Sequence, residues 1–191
     1  MAWTTKFEVL IRVVALIVGI FIISLLKANA QNWVEERTFV SQGAATPRIN
    51  GLLTKPIKGK WGSFLWFQTQ QKYSQTYTGV THSAKPHLQF ALGVGLEEAK
   101  NPARMGGYVW AGNSKTSLLF VPEYGGSGFW WKLEANQKIR KSFGIGLLTE
   151  RFKGTGPRME YKIPRTPFVV WVAPLIERQK TNWLIGIRLH L

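Results

Sequence analysis

The feature that most constrains the fold is a repeated alternation of large apolar residues with small or polar ones. Residues 87–97 show it most clearly, because every second position is a large apolar residue and no intervening position is. Successive side chains of a β-strand point to opposite faces, so this alternation predicts a strand with one apolar and one polar face. The same period recurs in residues 128–136, 142–150, 157–163 and 182–191.

Weaker alternation predicts further strands in the rest of the chain. Residues 104–112 and 116–124 form a predicted hairpin around Gly112, Asn113 and Ser114. Residues 61–77 are expected to form one long strand or two short ones, and residues 167–176 a further strand. Closure into a barrel pairs every strand edge. We therefore predict an all-β, antiparallel up-and-down β-barrel of about eight strands over residues 59–191. Residues 31–58 are predicted to be an irregular N-terminal segment, because Gly43, Pro47, Gly51 and Pro56 interrupt its second half.

Residues 1–30 have the three parts of a secretory signal peptide. Lys6 and Arg12 give a basic start, residues 13–26 are uncharged and nearly all apolar, and Ala28 and Ala30 form an Ala-x-Ala cleavage site. The pattern predicts export with cleavage after Ala30. An uncleaved membrane anchor is the alternative.

Composition excludes several kinds of site. The chain has no cysteine and no aspartate, and its only histidines are His82, His87 and His190. Disulfides, cysteine-bound metals, EF-hands and aspartate-dependent triads are therefore excluded. We expect no metal, no cofactor and no catalytic residues. The net charge of +15 comes from 25 lysines and arginines against ten glutamates.

The polar strand faces favour a barrel with lipid outside and a narrow polar lumen. They combine small residues with charges of both signs, which we expect to pair across the interior. The predicted lumen residues are Gln89, Glu97, Lys132, Glu134, Arg158, Glu160, Lys162 and Arg188. The predicted lipid-facing residues are Leu88, Phe90, Leu92, Ile145, Ile185 and Ile187.

With its signal peptide and alternating strands, the chain resembles small bacterial outer-membrane β-barrel proteins over roughly residues 60–191. The resemblance implies a bacterial outer-membrane location and a non-enzymatic role that is structural or binds anionic envelope components. Basic turns suit the phosphates of lipopolysaccharide or anionic phospholipid, and export argues against nucleic acid as a partner. The candidate anionic-lipid-binding residues are Lys138, Arg140, Lys141, Arg151, Lys153, Arg178 and Lys180.

Two alternative functions remain open at this stage. One is a secreted soluble β-barrel carrier of a hydrophobic ligand, which would line its interior with the apolar faces. The other is a barrel enzyme acting on membrane lipid, with Ser83 as nucleophile and His82 as base, oriented by Glu97 or Glu98.

Overall fold

Residues 32–191 are described in a computed structural model and form a closed antiparallel barrel of 12 strands. The strands are β1 (Trp33–Ser41), β2 (Ala44–Lys58), β3 (Trp61–Gln70), β4 (Tyr73–Lys85), β5 (Leu88–Glu97), β6 (Ala103–Gly112), β7 (Thr116–Gly125), β8 (Gly128–Lys138), β9 (Phe143–Glu150), β10 (Gly154–Lys162), β11 (Phe168–Glu177) and β12 (Lys180–His190). Within these residues no helix is long and apolar enough to cross a membrane. The predicted signal peptide lies outside the described residues.

Each strand pairs with its sequence neighbours, and β1 closes the barrel against β12, with Trp33 opposite His190. The two ends of the barrel are therefore distinct. The terminal end carries Asn32, Leu191 and the turns 59–60, 86–87, 113–115, 139–142 and 163–167. The far end carries the turns 42–43, 71–72, 98–102, 126–127, 151–153 and 178–179.

The predicted antiparallel barrel is confirmed, but the prediction of about eight strands is wrong. Residues 61–77 divide between β3 and β4 at the turn 71–72, where Lys72 has a φ of 61°. The prediction of an irregular segment at 31–58 is also wrong, because those residues supply β1 and β2. They are joined by a two-residue turn in which Gln42 and Gly43 have φ of 51° and 80°, and positive φ at both central residues matches the twist of a hairpin.

The apolar strand faces point outward. Leu92 is 65% exposed and Ile185 50% exposed, and strand register places Leu88, Phe90, Ile145 and Ile187 on the same outer surface. The outward orientation predicted for these six residues is confirmed. Exposed aromatic residues flank this apolar surface near both ends, with Trp61, Phe143, Tyr161 and Phe168 towards the terminal end and Tyr124, Phe129, Phe152 and Trp183 towards the far end. An apolar band between two aromatic girdles is the surface of a membrane-spanning barrel.

Glycines on the inward faces make room for large side chains in the lumen. Gly79 and Gly93 lie opposite each other on β4 and β5. A Cβ atom on Gly93 would lie 2.5 Å from the Thr78 carbonyl oxygen and 2.8 Å from Cζ of Phe64. The ring of Phe64 therefore occupies the space that this glycine leaves free.

Candidate functional site

The lumen is the polar surface that the sequence predicted. All eight predicted lumen residues stand on inward-facing register positions, and Glu97, Lys132, Glu134, Arg158 and Arg188 are buried there. Lys162 is exposed at the terminal end. The inward orientation predicted for these residues is confirmed, and every charged member except Lys162 takes part in an ion pair among the described residues. A soluble carrier with an apolar interior is inconsistent with this arrangement, because the apolar faces point outward.

The largest ion-pair cluster is centred on Glu134 of β8. Its carboxylate lies 2.6 Å from Arg158 of β10, 3.2 Å from Arg188 of β12 and 3.5 Å from Lys132. Arg188 continues the cluster to Glu35 of β1 at 2.7 Å. Since β8 and β12 are separated by three strands, the Glu134–Arg188 pair crosses part of the lumen.

A second cluster is centred on Glu150 at the end of β9. Its carboxylate lies 3.3 Å from Arg37 of β1 and 3.3 Å from Arg48 of β2, and Lys153 of the adjacent turn also contacts it. β2 and β9 lie on opposite sides of the barrel, so the Arg48–Glu150 pair spans the lumen. Three cations surround one carboxylate here, which leaves the cluster with a net charge of +2. Burial lowers the pKa of Lys153 well below its ordinary value, while the Glu150 carboxylate opposes that shift.

The third cluster lines the opposite wall near the far end. Arg104 of β6 donates to Glu97 at 2.6 Å and to Glu123 at 2.7 Å. Glu97 also accepts hydrogen bonds from the backbone N–H and the hydroxyl of Ser127. This cluster has two carboxylates and one cation, so its excess charge is opposite in sign to that of the Glu150 cluster.

Aromatic side chains fill the middle of the lumen between the charged groups. The ring of Trp66 packs edge-on against Trp33 and parallel to Tyr77, and Lys132 lies 5.5 Å from the centre of the Trp66 ring. Tyr77 donates a hydrogen bond to Glu123. Trp66, Tyr77 and Lys132, together with Arg37 and Arg158, are at most 2% exposed. These side chains form a packed layer across the middle of the barrel.

Cavities remain on either side of this layer. At the far end a cavity of about 310 Å³ is lined by Arg48, Tyr73, Arg104 and Lys153, with Phe39 among the aromatic residues beside them. At the terminal end, cavities of about 360 and 330 Å³ meet at Trp110. The described lumen therefore has cavities towards both ends, and the layer of side chains constricts the path between them.

The seven candidate lipid-binding residues divide between the two ends of the barrel. Lys138, Arg140 and Lys141 lie at the terminal end, and Arg151, Lys153, Arg178 and Lys180 lie at the far end. The structure therefore does not bring them together. Lys153 turns inward to Glu150, and Arg151 donates to the Phe129 carbonyl at 2.7 Å while its guanidinium lies 4.6 Å from the Phe152 ring.

The residues considered for lipid hydrolysis are also separated. His82 and Ser83 are neighbours on β4 and face opposite sides of the barrel wall. The His82 ring stacks against Trp61 with centroids 4.5 Å apart, and Ser83 accepts a hydrogen bond from Gln89 at 3.2 Å inside. Glu97 belongs to the Arg104 cluster, towards the other end of β5. These residues therefore do not form a nucleophile–base–acid arrangement.

Sequence reasoning missed the lumen residues of β1 and β2. Glu35, Arg37, Arg48 and Asn50 are all buried inside the barrel, and Asn50 donates to Glu35 at 3.3 Å. Period-two spacing of Trp33, Glu35 and Arg37 was the available signal, but the intervening positions include Glu36 and Thr38, so neither face is apolar.

Comparisons with known proteins identify the fold. No family model matches the sequence, and no curated protein matches it. Among solved structures, the chain is similar to the KdgM porin, with a TM-score of 0.56 and 14% identity over 83% of this chain and 99% of that chain. The NanC porin gives a TM-score of 0.53 and 11% identity over 83% of this chain and 100% of that chain. The KdgM porin in complex with oligogalacturonate gives a TM-score of 0.55 and 14% identity over 83% and 99%. The predicted resemblance to outer-membrane β-barrel proteins is thus confirmed at the level of the fold, which is that of outer-membrane porins.

Proposed function

We propose that this protein is a non-enzymatic channel of the bacterial outer membrane with a constricted lumen that favours small anions. The observation that carries the proposal is the Glu150 cluster, in which Arg37 and Arg48 reach across the lumen to one carboxylate. Ion pairs that span a barrel narrow the path for solutes. Arg37 and Arg48 outnumber the single carboxylate, and this positive excess attracts anions to the same constriction.

The charged clusters also account for a low expected conductance. Separating a buried ion pair leaves uncompensated charges in a poorly hydrated interior, which costs several kcal/mol. The pairs therefore resist opening, and only small ions are expected to pass between them.

Planar bilayer recordings test this function. The wild-type barrel should conduct far less than an open porin, and its reversal potential in a salt gradient should show a preference for chloride over potassium. Glu150→Gln removes the carboxylate that holds Arg37, Arg48 and Lys153 together, so conductance and anion preference should both rise. Glu98→Gln, in the exposed turn 98–102, is the matched control and should leave both unchanged. Large wild-type channels, or a Glu150→Gln channel identical to wild type, would refute the proposal.

A second candidate function is uptake of an acidic oligosaccharide. The similar KdgM porin has been solved with oligogalacturonate. In this chain the far-end cavity offers Arg48 and Arg104 beside the aromatic ring of Phe39, a combination suited to an acidic sugar. Both arginines already contact glutamates, so the ligand would have to displace ion pairs. Block of the channel current by oligogalacturonate, absent with a neutral oligosaccharide of equal length, would support this candidate.

A further inference from the structure

The terminal end of the barrel carries exposed cations that the lumen does not use. The outer surface near this end bears Lys55, Lys58 and Lys85, whose register partners Ser63, Trp61 and Leu88 also face outward. The turns at this end add Lys115, Arg140, Lys141 and Arg165, all exposed. We call these seven residues the basic belt.

No carboxylate neutralises the basic belt within the part of the chain that the structure describes. Every ion pair found among residues 32–191 involves a lumen cation or Lys153 of the far-end turn, and none involves a belt residue. The five terminal-end turns contain no glutamate, and the chain has no aspartate. The far end differs, because Glu98 stands beside Lys100, and Glu177 is the register partner of Lys180.

The distribution of the belt around the barrel favours lipid headgroups over a docked protein. Each of the five terminal-end hairpins contributes at least one belt residue, so the charge surrounds the barrel. A docked protein would occupy one sector of the rim, whereas lipid headgroups surround the whole wall. Lys55, Lys58 and Lys85 project from the outer side of the wall, where they are directed away from the mouth and towards the surrounding leaflet.

The height of the belt agrees with a headgroup ligand. Trp61, Phe143, Tyr161 and Phe168 form the aromatic girdle at this end, and such girdles mark the boundary between hydrocarbon and headgroups. Lys58 is the register partner of Trp61, and the belt residues of the turns lie beyond the girdle, at the depth of lipid phosphates. Lys55 lies opposite Ser63, two positions nearer the middle of the wall, from where its long side chain can reach towards the headgroups. A lysine or arginine near an anionic membrane surface contributes about 1 kcal/mol, which is about fivefold in association.

We propose that the basic belt is a binding surface for the headgroups of anionic phospholipid in the leaflet next to the chain termini. This inference rests on the proposed membrane-spanning function and adds the lipid class and the leaflet. The inference places the lipid-binding residues at the terminal end of the barrel, whereas the seven candidates from the sequence divide between both ends.

The test compares lipid association in the intact barrel by using spin-labelled phosphatidylglycerol and phosphatidylcholine. The barrel is reconstituted in phosphatidylcholine vesicles, and electron paramagnetic resonance measures the immobilised fraction of each probe. Wild type should favour phosphatidylglycerol by about fivefold, and raising the salt from about 0.1 M to about 1 M should remove most of the preference. Changing Lys85, Lys115, Arg140 and Lys141 together to glutamine should reduce the preference severalfold.

A matched variant at the far end separates the belt from general positive charge. It changes Lys72, Lys100, Arg178 and Lys180 together to glutamine, and it should retain most of the wild-type preference. Equal loss in both variants, or loss only in the far-end variant, would overturn the inference. A wild-type barrel that shows no preference for phosphatidylglycerol would also overturn the inference. The same holds if the belt binds a soluble acidic polypeptide and shows no such lipid preference.

The same samples distinguish failure of this inference from failure of the proposed function. Flotation with vesicles and protease resistance report insertion independently of lipid preference. A chain that does not insert into phosphatidylcholine vesicles contradicts the membrane barrel itself. A chain that inserts and shows equal association with both probes contradicts the lipid inference alone.

Discussion

Removal of the Glu134 carboxylate should destabilise the barrel far more than removal of a lysine beside it. Glu134 contacts Lys132, Arg158 and Arg188, and all four side chains are buried or nearly so. Glu134→Gln leaves these cations with fewer carboxylates at a site where their side chains are largely withdrawn from solvent. Breaking a buried ion pair by deleting one partner costs about 3–5 kcal/mol, a large share of the 5–15 kcal/mol that holds a typical domain folded.

Lys132 gives the contrasting case. It is fully buried, its ammonium makes no hydrogen bond within the described residues, and its contact with Glu134 is 3.5 Å long. Lys132→Met keeps the length of the side chain beside the Trp33 and Trp66 rings and removes a desolvated charge. We expect a change in the free energy of unfolding within about 1 kcal/mol, because replacing a buried ion by an apolar group of similar volume is often neutral.

Urea unfolding of the barrel in lipid vesicles, followed by the fluorescence of the eight tryptophans in residues 31–191, measures both changes. Glu177→Gln, in the half-exposed end of β11, is the matched control for loss of a carboxylate. The double variant of Glu134→Gln with Lys132→Met should recover part of the stability lost by Glu134→Gln alone. A loss below about 1 kcal/mol for Glu134→Gln, or equal losses for the two single variants, would refute the reasoning that the cluster is buried and held by that carboxylate.

Three further predictions concern the wall and the N-terminus. Leu92→Arg, on the outward face of β5, should cost about 2–4 kcal/mol in the same unfolding assay, because it places a charge in the hydrocarbon. Gly93→Val should abolish the heat-modifiable folded band on electrophoresis, since its side chain would collide with the Thr78 carbonyl and the Phe64 ring. Mass spectrometry of the exported protein should give a chain that begins at Gln31, and a chain that begins at Met1 would favour the membrane anchor.

Much of the barrel was predictable because the strands with strong alternation have an apolar outer face and a polar face that lines the lumen. In β5, large residues such as Leu92 and Val94 alternate with Gly93 and Gly95, and the structure points the large ones outward. Because the two faces differ sharply in polarity, the sequence alternates with period two. This alternation also predicted that Glu134 and Arg188 lie in the lumen. The signal needs only local sequence, so it gave the orientation of the strands correctly.

β1 and β2, which were not predicted, lack this difference in polarity between their two faces. In β1 the inward Glu35 and Arg37 alternate with the outward Glu36 and Thr38, so both faces include polar groups. β2 contains Pro47, and proline normally argues against a strand because it cannot donate to the ladder. The proline is tolerated here because barrel pairing of the remaining residues holds the strand on both sides.

The partners of the lumen charges could not be predicted because they depend on strand number. Arg48 and Glu150 are 102 residues apart and meet because closure at 12 strands puts β2 opposite β9. In an eight-strand barrel the same residues would have had different partners. Alternation fixes which side of the wall a residue faces, whereas the residue it meets across the lumen depends on how many strands close the ring.

The strand number also explains why the interior is built from the longest side chains. A barrel widens roughly in proportion to its strand number, and about eight strands already leave an interior that ordinary side chains fill. At 12 strands, arginine, glutamate and tryptophan are needed to bridge the walls, as Arg48 and Glu150 do. Aspartate is shorter than glutamate by one carbon–carbon bond and reaches less far from the wall. The use of glutamate for every acidic residue in the chain fits this requirement at Glu134 and Glu150, where a carboxylate must meet cations on distant strands. The same long side chains that narrow the lumen therefore also determine its charge, so its constriction and its proposed preference for anions have one structural origin.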